Sequence, residues 1–128
     1  MSAKILTVDD SKVVRIMVKR ALKSYDCVII EASNGEEGLA AAGRENPDLI
    51  MLDVTMPVMS GLEMLAQLRA NEALKSITVV MLTAESAQEN IAHADSLGIS
   101  GYIPKPFKED NLIEKVKAAV TLNPKEAA

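Results

Sequence analysis

LIMLDVTMPVMSG, residues 49–61, opens as a strand and closes as a turn. Leu49 to Leu52 form an apolar run, and a carboxylate, Asp53, ends it. Pro57 and Gly61 follow within eight residues. A continuous apolar run this short reads as a strand buried on both faces, because a helix needs a longer, periodic pattern. Pro and Gly behind it mark a turn. A charge placed where such a strand meets its turn calls for an explanation.

Similar short apolar runs lie on either side, at Ile5–Val8, Cys27–Ile30, Ile77–Leu82 and Tyr102–Ile103. Helical spacing of apolar residues fills the gaps. Val14, Met17, Val18, Ala21 and Leu22 mark a first helix, Leu62, Leu65 and Leu68 a third, and Leu112, Ile113, Val116 and Val120 a last. Leu39 with Ala42, and Ile91 with Ala94 and Leu97, give weaker second and fourth helices. Ser60…Glu63 and Ser86…Glu89 read as capping boxes, Asn34…Glu37 as a related start, and Gly98 as the stop of the fourth helix.

The predicted fold is therefore α/β: a five-stranded parallel sheet, doubly wound as (βα)5, with the flavodoxin-like strand order 2-1-3-4-5. A chain of 128 residues leaves no room for a second such unit. We place the domain at 1–122 and expect 123–128, which carry a Pro and no apolar stripe, to be a frayed tail.

Composition excludes several classes of function. The net charge of −4 offers no basic face for nucleic acid. No apolar stretch approaches the ~20 residues that span a bilayer, and no signal peptide opens the chain, so no membrane insertion is expected. Cys27 is the sole cysteine, which rules out an internal disulfide and fits a cytoplasmic location. With two Tyr and one Phe, the core must be aliphatic.

In a parallel sheet all carboxyl ends share one edge, and ligands bind there at the switch point between strands 1 and 3. The first strand delivers Asp9 and Asp10 to that edge, the third Asp53, the fourth Thr83, and the fifth Lys105 between Pro104 and Pro106. Glu31, after the second strand, lies farther away. Two carboxylates 4 Å apart repel by roughly 4 kcal/mol at an effective dielectric of about 20. Three of them need a hard cation with oxygen ligands, and Mg²⁺ fits best, because it keeps waters and accepts phosphate oxygens. Lys105 adds a point charge suited to a phosphate oxygen. Singly, Asp10 reads as a helix cap, Asp53 as a turn residue, Thr83 as a strand end and Lys105 as a solvated loop. Their convergence reads as a site. His93 has no second ligand at metal spacing, and the seven Met residues read as core fill.

The chain resembles the receiver domain of a two-component response regulator, of the single-domain chemotaxis-regulator (CheY-like) type. The resemblance rests on ILTVDDS with Arg15 beyond it, MLDVTMPVMSG, VMLTA and YIPKPF, spread over nearly the whole chain. It implies that Asp53 accepts a phosphoryl group. Asp10, Asp53 and the carbonyl of Thr55 would ligate Mg²⁺, with Asp9 holding it through water. Lys105 would bind a phosphoryl oxygen. Thr83 would turn its hydroxyl onto another, and Tyr102 would act as the aromatic switch. The Lys105–Pro106 bond would be cis.

The implied protein is not an enzyme acting on a separate substrate. It is a phosphoacceptor that promotes its own phosphorylation and dephosphorylation. A sensor histidine kinase or phosphotransfer protein would be the donor. A downstream protein, bound at the face of the fourth helix, fifth strand and fifth helix, would take the output, with a phosphorylation-dependent dimer through that face left open. A phosphorelay intermediate is the alternative. Thr55 and Glu85 occupy the positions tied to phosphoryl lifetime. A haloacid-dehalogenase-type phosphatase would want an Asp where Thr55 stands, and a flavin binder would want a phosphate loop in place of Asp9-Asp10.

Overall fold

The apolar runs pair side by side to satisfy their backbone N–H and C=O groups, and helices cover the apolar faces of the resulting sheet. The structure, a computed structural model, describes residues 3–54, 56–84, 92 and 94–125, Thr83 and Ala84 by backbone alone. The strands are β1 (Ala3–Val8), β2 (Cys27–Ala32), β3 (Leu49–Asp53), β4 (Thr78–Ala84) and β5 (Gly101–Lys105). They form one parallel sheet in the order β2-β1-β3-β4-β5, as expected. Helices α1 (Lys12–Ala21), α2 (Gly35–Glu45), α3 (Gly61–Ala70) and a C-terminal helix (Glu109–Ala119) connect or follow the strands. Ala94–Ser96 are also helical, and Gly98, at a φ of 84°, turns the chain toward β5. The predicted Ser86–Glu89 cap, Thr55, Glu85 and His93 lie outside the described residues. No helix among the described residues is long and apolar enough to cross a membrane.

Alternate residues of each strand feed two cores. Leu6, Val8, Ile50, Leu52, Val79 and Met81 pack with Ala41 and Ala42 of α2 and Met64, Leu65 and Leu68 of α3. On the other face Ile5, Leu49, Met51, Val80, Leu82 and Ile103 pack with Val18 and Leu22 and with Leu112 and Val116. Every residue of β3, the central strand, is buried. The expectation of burial on both faces fails for β2. It is an edge strand, and Val28 is 50% exposed.

The helix starts match their sequence signals. The Ser60 hydroxyl accepts from the Glu63 amide while the Glu63 carboxylate accepts from the Ser60 amide, completing the capping box. The Asn34 side chain accepts from the Glu37 amide at 2.9 Å.

One expectation is corrected at the C-terminus. Asn123 to Lys125 are held, although a frayed tail was expected from residue 123. The Asp26 amide donates to the Asn123 carbonyl at 2.7 Å and the Lys125 amide to the Ser24 carbonyl at 2.9 Å, an antiparallel bridge centred on Tyr25 and Pro124. Leu122 is buried in the second core, and Lys117 lies over the Tyr25 ring. A single buried Leu and two backbone bonds suffice to hold a segment that has no apolar stripe of its own.

Candidate functional site

The sheet register builds the site. Val8 pairs with Leu52, so the next residues, Asp9 and Asp53, leave β1 and β3 at the same level. Asp53 in turn pairs with Leu82, and Leu82 with Ile103. Lys105 therefore sits two residues beyond that level and two strands away, across β4. Two strand spacings are about 10 Å. A long side chain is needed to close that gap, and Lys105 closes it. Its Nζ donates to Asp9 Oδ2 and to Asp53 Oδ1, each at 2.9 Å.

The two carboxylates are buried, Asp9 completely. Asp9 Oδ1 also accepts from the Ser11 amide at 2.9 Å. Asp10 is exposed at the rim. One oxygen from each of Asp9, Asp10 and Asp53 lies within 4.8 Å of the others. Lys105 offsets one of the three charges and leaves the cluster anionic. All three donors are hard oxygens, which suits a hard divalent cation.

The electrostatic strain shows in Asp53. Burial, opposed by the Lys105 hydrogen bond and reinforced by Asp9, pushes its carboxyl up to about 6. Burial works against the Lys105 charge as well, but its bonds to Asp9 and Asp53 outweigh this and raise it. An acid whose folded pKa is raised imposes no penalty below its unfolded value near 4, and the full penalty above about 6. Without metal, an Asp53→Asn protein is expected to exceed the wild type in stability by about 1–3 kcal/mol at about pH 7 to 8, with the gap closing by about pH 4. Urea denaturation of the pair at both pH values checks this.

The turn behind Asp53 is forced by glycine. The Gly61 amide donates to the Val54 carbonyl at 2.8 Å, and a Cβ on Gly61 would fall 1.9 Å from the Asp53 carbonyl oxygen. Gly35 allows a second close approach. Its amide donates to the Met59 carbonyl at 3.1 Å, and a Cβ there would lie 2.7 Å from that oxygen, so α2 docks against the turn. The sequence reading missed this contact; the Asn34-Gly35 start of α2 was its signal. Val58 takes a left-handed φ of 68° and is 74% exposed. A β-branched residue is strained there. Val58→Asn is expected to raise stability by about 1 kcal/mol, read as a shift in denaturation midpoint.

Among the other residues expected at this edge, Thr83 pairs in register with Pro104. Tyr102 pairs with Met81 and is 44% exposed. The Lys105–Pro106 bond is cis, as the resemblance implied. Thr55 and the Thr83 side chain lie outside what is described.

A family model described as the response regulator receiver domain matches residues 5–117. The chain belongs to this family. The receiver is 38% identical over 117 residues to the chemotaxis protein CheY of Listeria monocytogenes, covering 91% of this chain and 97% of that one. It is 32% identical to the protein PilG of Pseudomonas aeruginosa, covering 91% and 87%. Its fold is similar to that of the chemotaxis response regulator CheY4 of Vibrio cholerae, with a TM-score of 0.86 at 33% identity over 94% of this chain and all of that one. The sequence-based family and fold are thereby borne out.

Proposed function

We propose that this receiver is a stand-alone response regulator that takes a phosphoryl group onto Asp53 from a histidine kinase or phosphotransfer protein and then contacts a downstream protein. One observation carries the reading. Lys105, from the far side of the sheet, holds Asp53 and Asp9 at 2.9 Å while Asp10 stands at the rim of the same cluster. A buried strand offers Asp53 on a rigid element, and an anionic pocket open at Asp10 can admit a cation and a phosphoryl group.

Receivers as a family bind Mg²⁺, and the donor set here fits it. Asp10, Asp53 and the carbonyl of Thr55 would hold the ion directly, and Asp9 through water. When bound, Mg²⁺ neutralises the phosphoryl oxygens and lowers the barrier to transfer. The Asp53 carboxylate attacks phosphorus in line as the donor's bond to phosphorus breaks, and the donor leaves with that electron pair. Lys105 keeps one contact through the step. Its Nζ already faces Asp53 and would meet an oxygen of the arriving group. Hydrolysis of the aspartyl phosphate resets the protein.

The output follows from the neighbouring strand. Thr83, level with Pro104, would hydrogen-bond a phosphoryl oxygen. Tyr102, half-exposed on the adjacent strand, would then reorient and change the face of the fourth helix, β5 and the C-terminal helix. The chain covers 97% of the length of the chemotaxis protein CheY of Listeria monocytogenes, which supports output by protein contact; a cytoplasmic location is part of the same reading. Intact mass after incubation with acetyl phosphate tests the proposal. One added phosphoryl group with Mg²⁺, and none with a chelator, is the expected result. The decay time of that species separates a short-lived switch from a relay intermediate.

A further inference from the structure

Arg15 has no role in the chemistry above, yet its guanidinium meets the metal-site backbone. Its Nη1 donates to the main-chain carbonyl of Asp9, and its Nε to Glu31 Oε1 at 3.1 Å. Lys19 Nζ holds the other oxygen of Glu31, also at 3.1 Å. The Arg15 side chain is only 15% exposed, so the bond to Asp9 is sheltered from water. Burial of Glu31 works against its ionisation, but the bonds from Lys19 and Arg15 outweigh it and lower its pKa.

Three elements are thus tied at one point: α1 through Arg15, the end of β2 through Glu31, and the end of β1 through Asp9. The peptide between Asp9 and Asp10 contains the bonded carbonyl. Its orientation determines where both side chains point. The Asp9 amide donates to Ala32 at 3.1 Å, so the bond from Arg15 completes the clamp on both sides of that residue.

We propose that Arg15 is a positioning residue for cation binding, acting by fixing the Asp9–Asp10 peptide through the Glu31-anchored guanidinium. The inference rests on the acidic cluster being the Mg²⁺ site. It makes a counter-intuitive demand. Arg15 is a cation near an anionic cluster, and by charge alone its removal should tighten Mg²⁺ binding. A positioning role has the opposite sign, because loss of a partner that orients metal ligands weakens affinity by about 10- to 100-fold.

Calorimetric titration with Mg²⁺ alone, on the full chain, separates the two. Arg15→Ala and Arg15→Lys are both expected to weaken binding about tenfold or more, since an ammonium cannot span Asp9 and Glu31 as a planar fork does. Glu31→Gln, which keeps the Arg15 charge and alters a half-exposed group, is expected to weaken it in the same direction and serves if Arg15 variants fold poorly. Arg20→Ala, on the same helix but 72% exposed and paired with Glu109, is expected to leave affinity unchanged. Without metal, amide exchange at Ser11, whose N–H donates to Asp9, is expected to speed up in the Arg15 variants by more than any change in global stability accounts for. Wild-type or tighter Mg²⁺ affinity in Arg15→Ala overturns the proposal, and so does an Arg15→Lys protein that binds as wild type. Absence of Mg²⁺ binding in the wild type itself would instead overturn the metal-site reading and this inference with it.

Discussion

An Asp53→Asn receiver is expected to gain no phosphoryl group from acetyl phosphate and Mg²⁺, under conditions in which the wild type gains one. The amide has nearly the shape of the carboxylate, so β3 and the Gly61 turn should persist. What disappears is the oxygen proposed as the nucleophile. Asp9 and Asp10 remain as carboxylates, but neither stands in for Asp53. Asp9 is fully buried, with one oxygen bonded to the Ser11 amide and the other to Lys105. Asp10 is at the rim, without the Lys105 contact. Intact mass spectrometry of both proteins at matched times reads the outcome directly. The same substitution removes the raised carboxyl, so the inactive variant should also be the more stable one near neutral pH. A variant that lost activity by unfolding could not show that pairing.

Lys105→Met is expected to slow phosphorylation about 10²- to 10³-fold, the effect of removing one pre-placed charge from a developing oxyanion. Met preserves much of the chain that crosses β4 and deletes the ammonium. A further consequence follows from the geometry. Without metal, Asp9 and Asp53 would face each other without their shared cation, so the Asp53 carboxyl should titrate higher than about 6. Titration of Asp53 in the metal-free protein reads that shift, and pseudo-first-order labelling rates at saturating Mg²⁺, collected across pH, read the loss of rate. A rate within a few-fold of wild type at every pH would exclude Lys105 from the transfer step.

Much of the architecture was legible because it depends on local pattern. β3 could be read from Leu49–Leu52 because a central strand is apolar on both faces, and its carboxylate end followed from the sequence itself. The strand order was taken as the economical winding of five alternating units in a chain of this length; right-handed crossovers restrict the choice without fixing it. Helix starts at Ser60 and Asn34 were readable because a cap is made within four residues. β2 was misjudged although the expected order already put it at the sheet edge. The run Cys27–Ile30 looks as apolar as β3, and nothing in it states how far the flanking helices cover an edge strand.

The site was legible as a set of residue types at strand ends and not as a set of contacts. That Lys105 reaches past β4 to bond both Asp9 and Asp53 depends on residues 96 and 52 positions apart in the chain. The same holds for Arg69, whose guanidinium donates to the carbonyls of Lys75, Ile77, Leu97 and Gly98 and ties the start of β4 to the turn before β5. An Arg in the last turn of a helix carries no sequence mark of such partners. The anchoring of Asn123–Lys125 escaped for a similar reason. It depends on backbone groups, which every residue has, and on the turn at 24–26 lying beside them.

The most direct test of the central claim is to find the bond itself. Borohydride reduces an aspartyl phosphate to homoserine and leaves free carboxylates intact. The wild-type receiver should be phosphorylated with acetyl phosphate and Mg²⁺, reduced, digested and sequenced by tandem mass spectrometry. The account predicts homoserine at position 53 alone, and none when Mg²⁺ is chelated. Homoserine at position 9 or 10, or a phosphoryl group retained on another side chain with Asp53 unchanged, would contradict it.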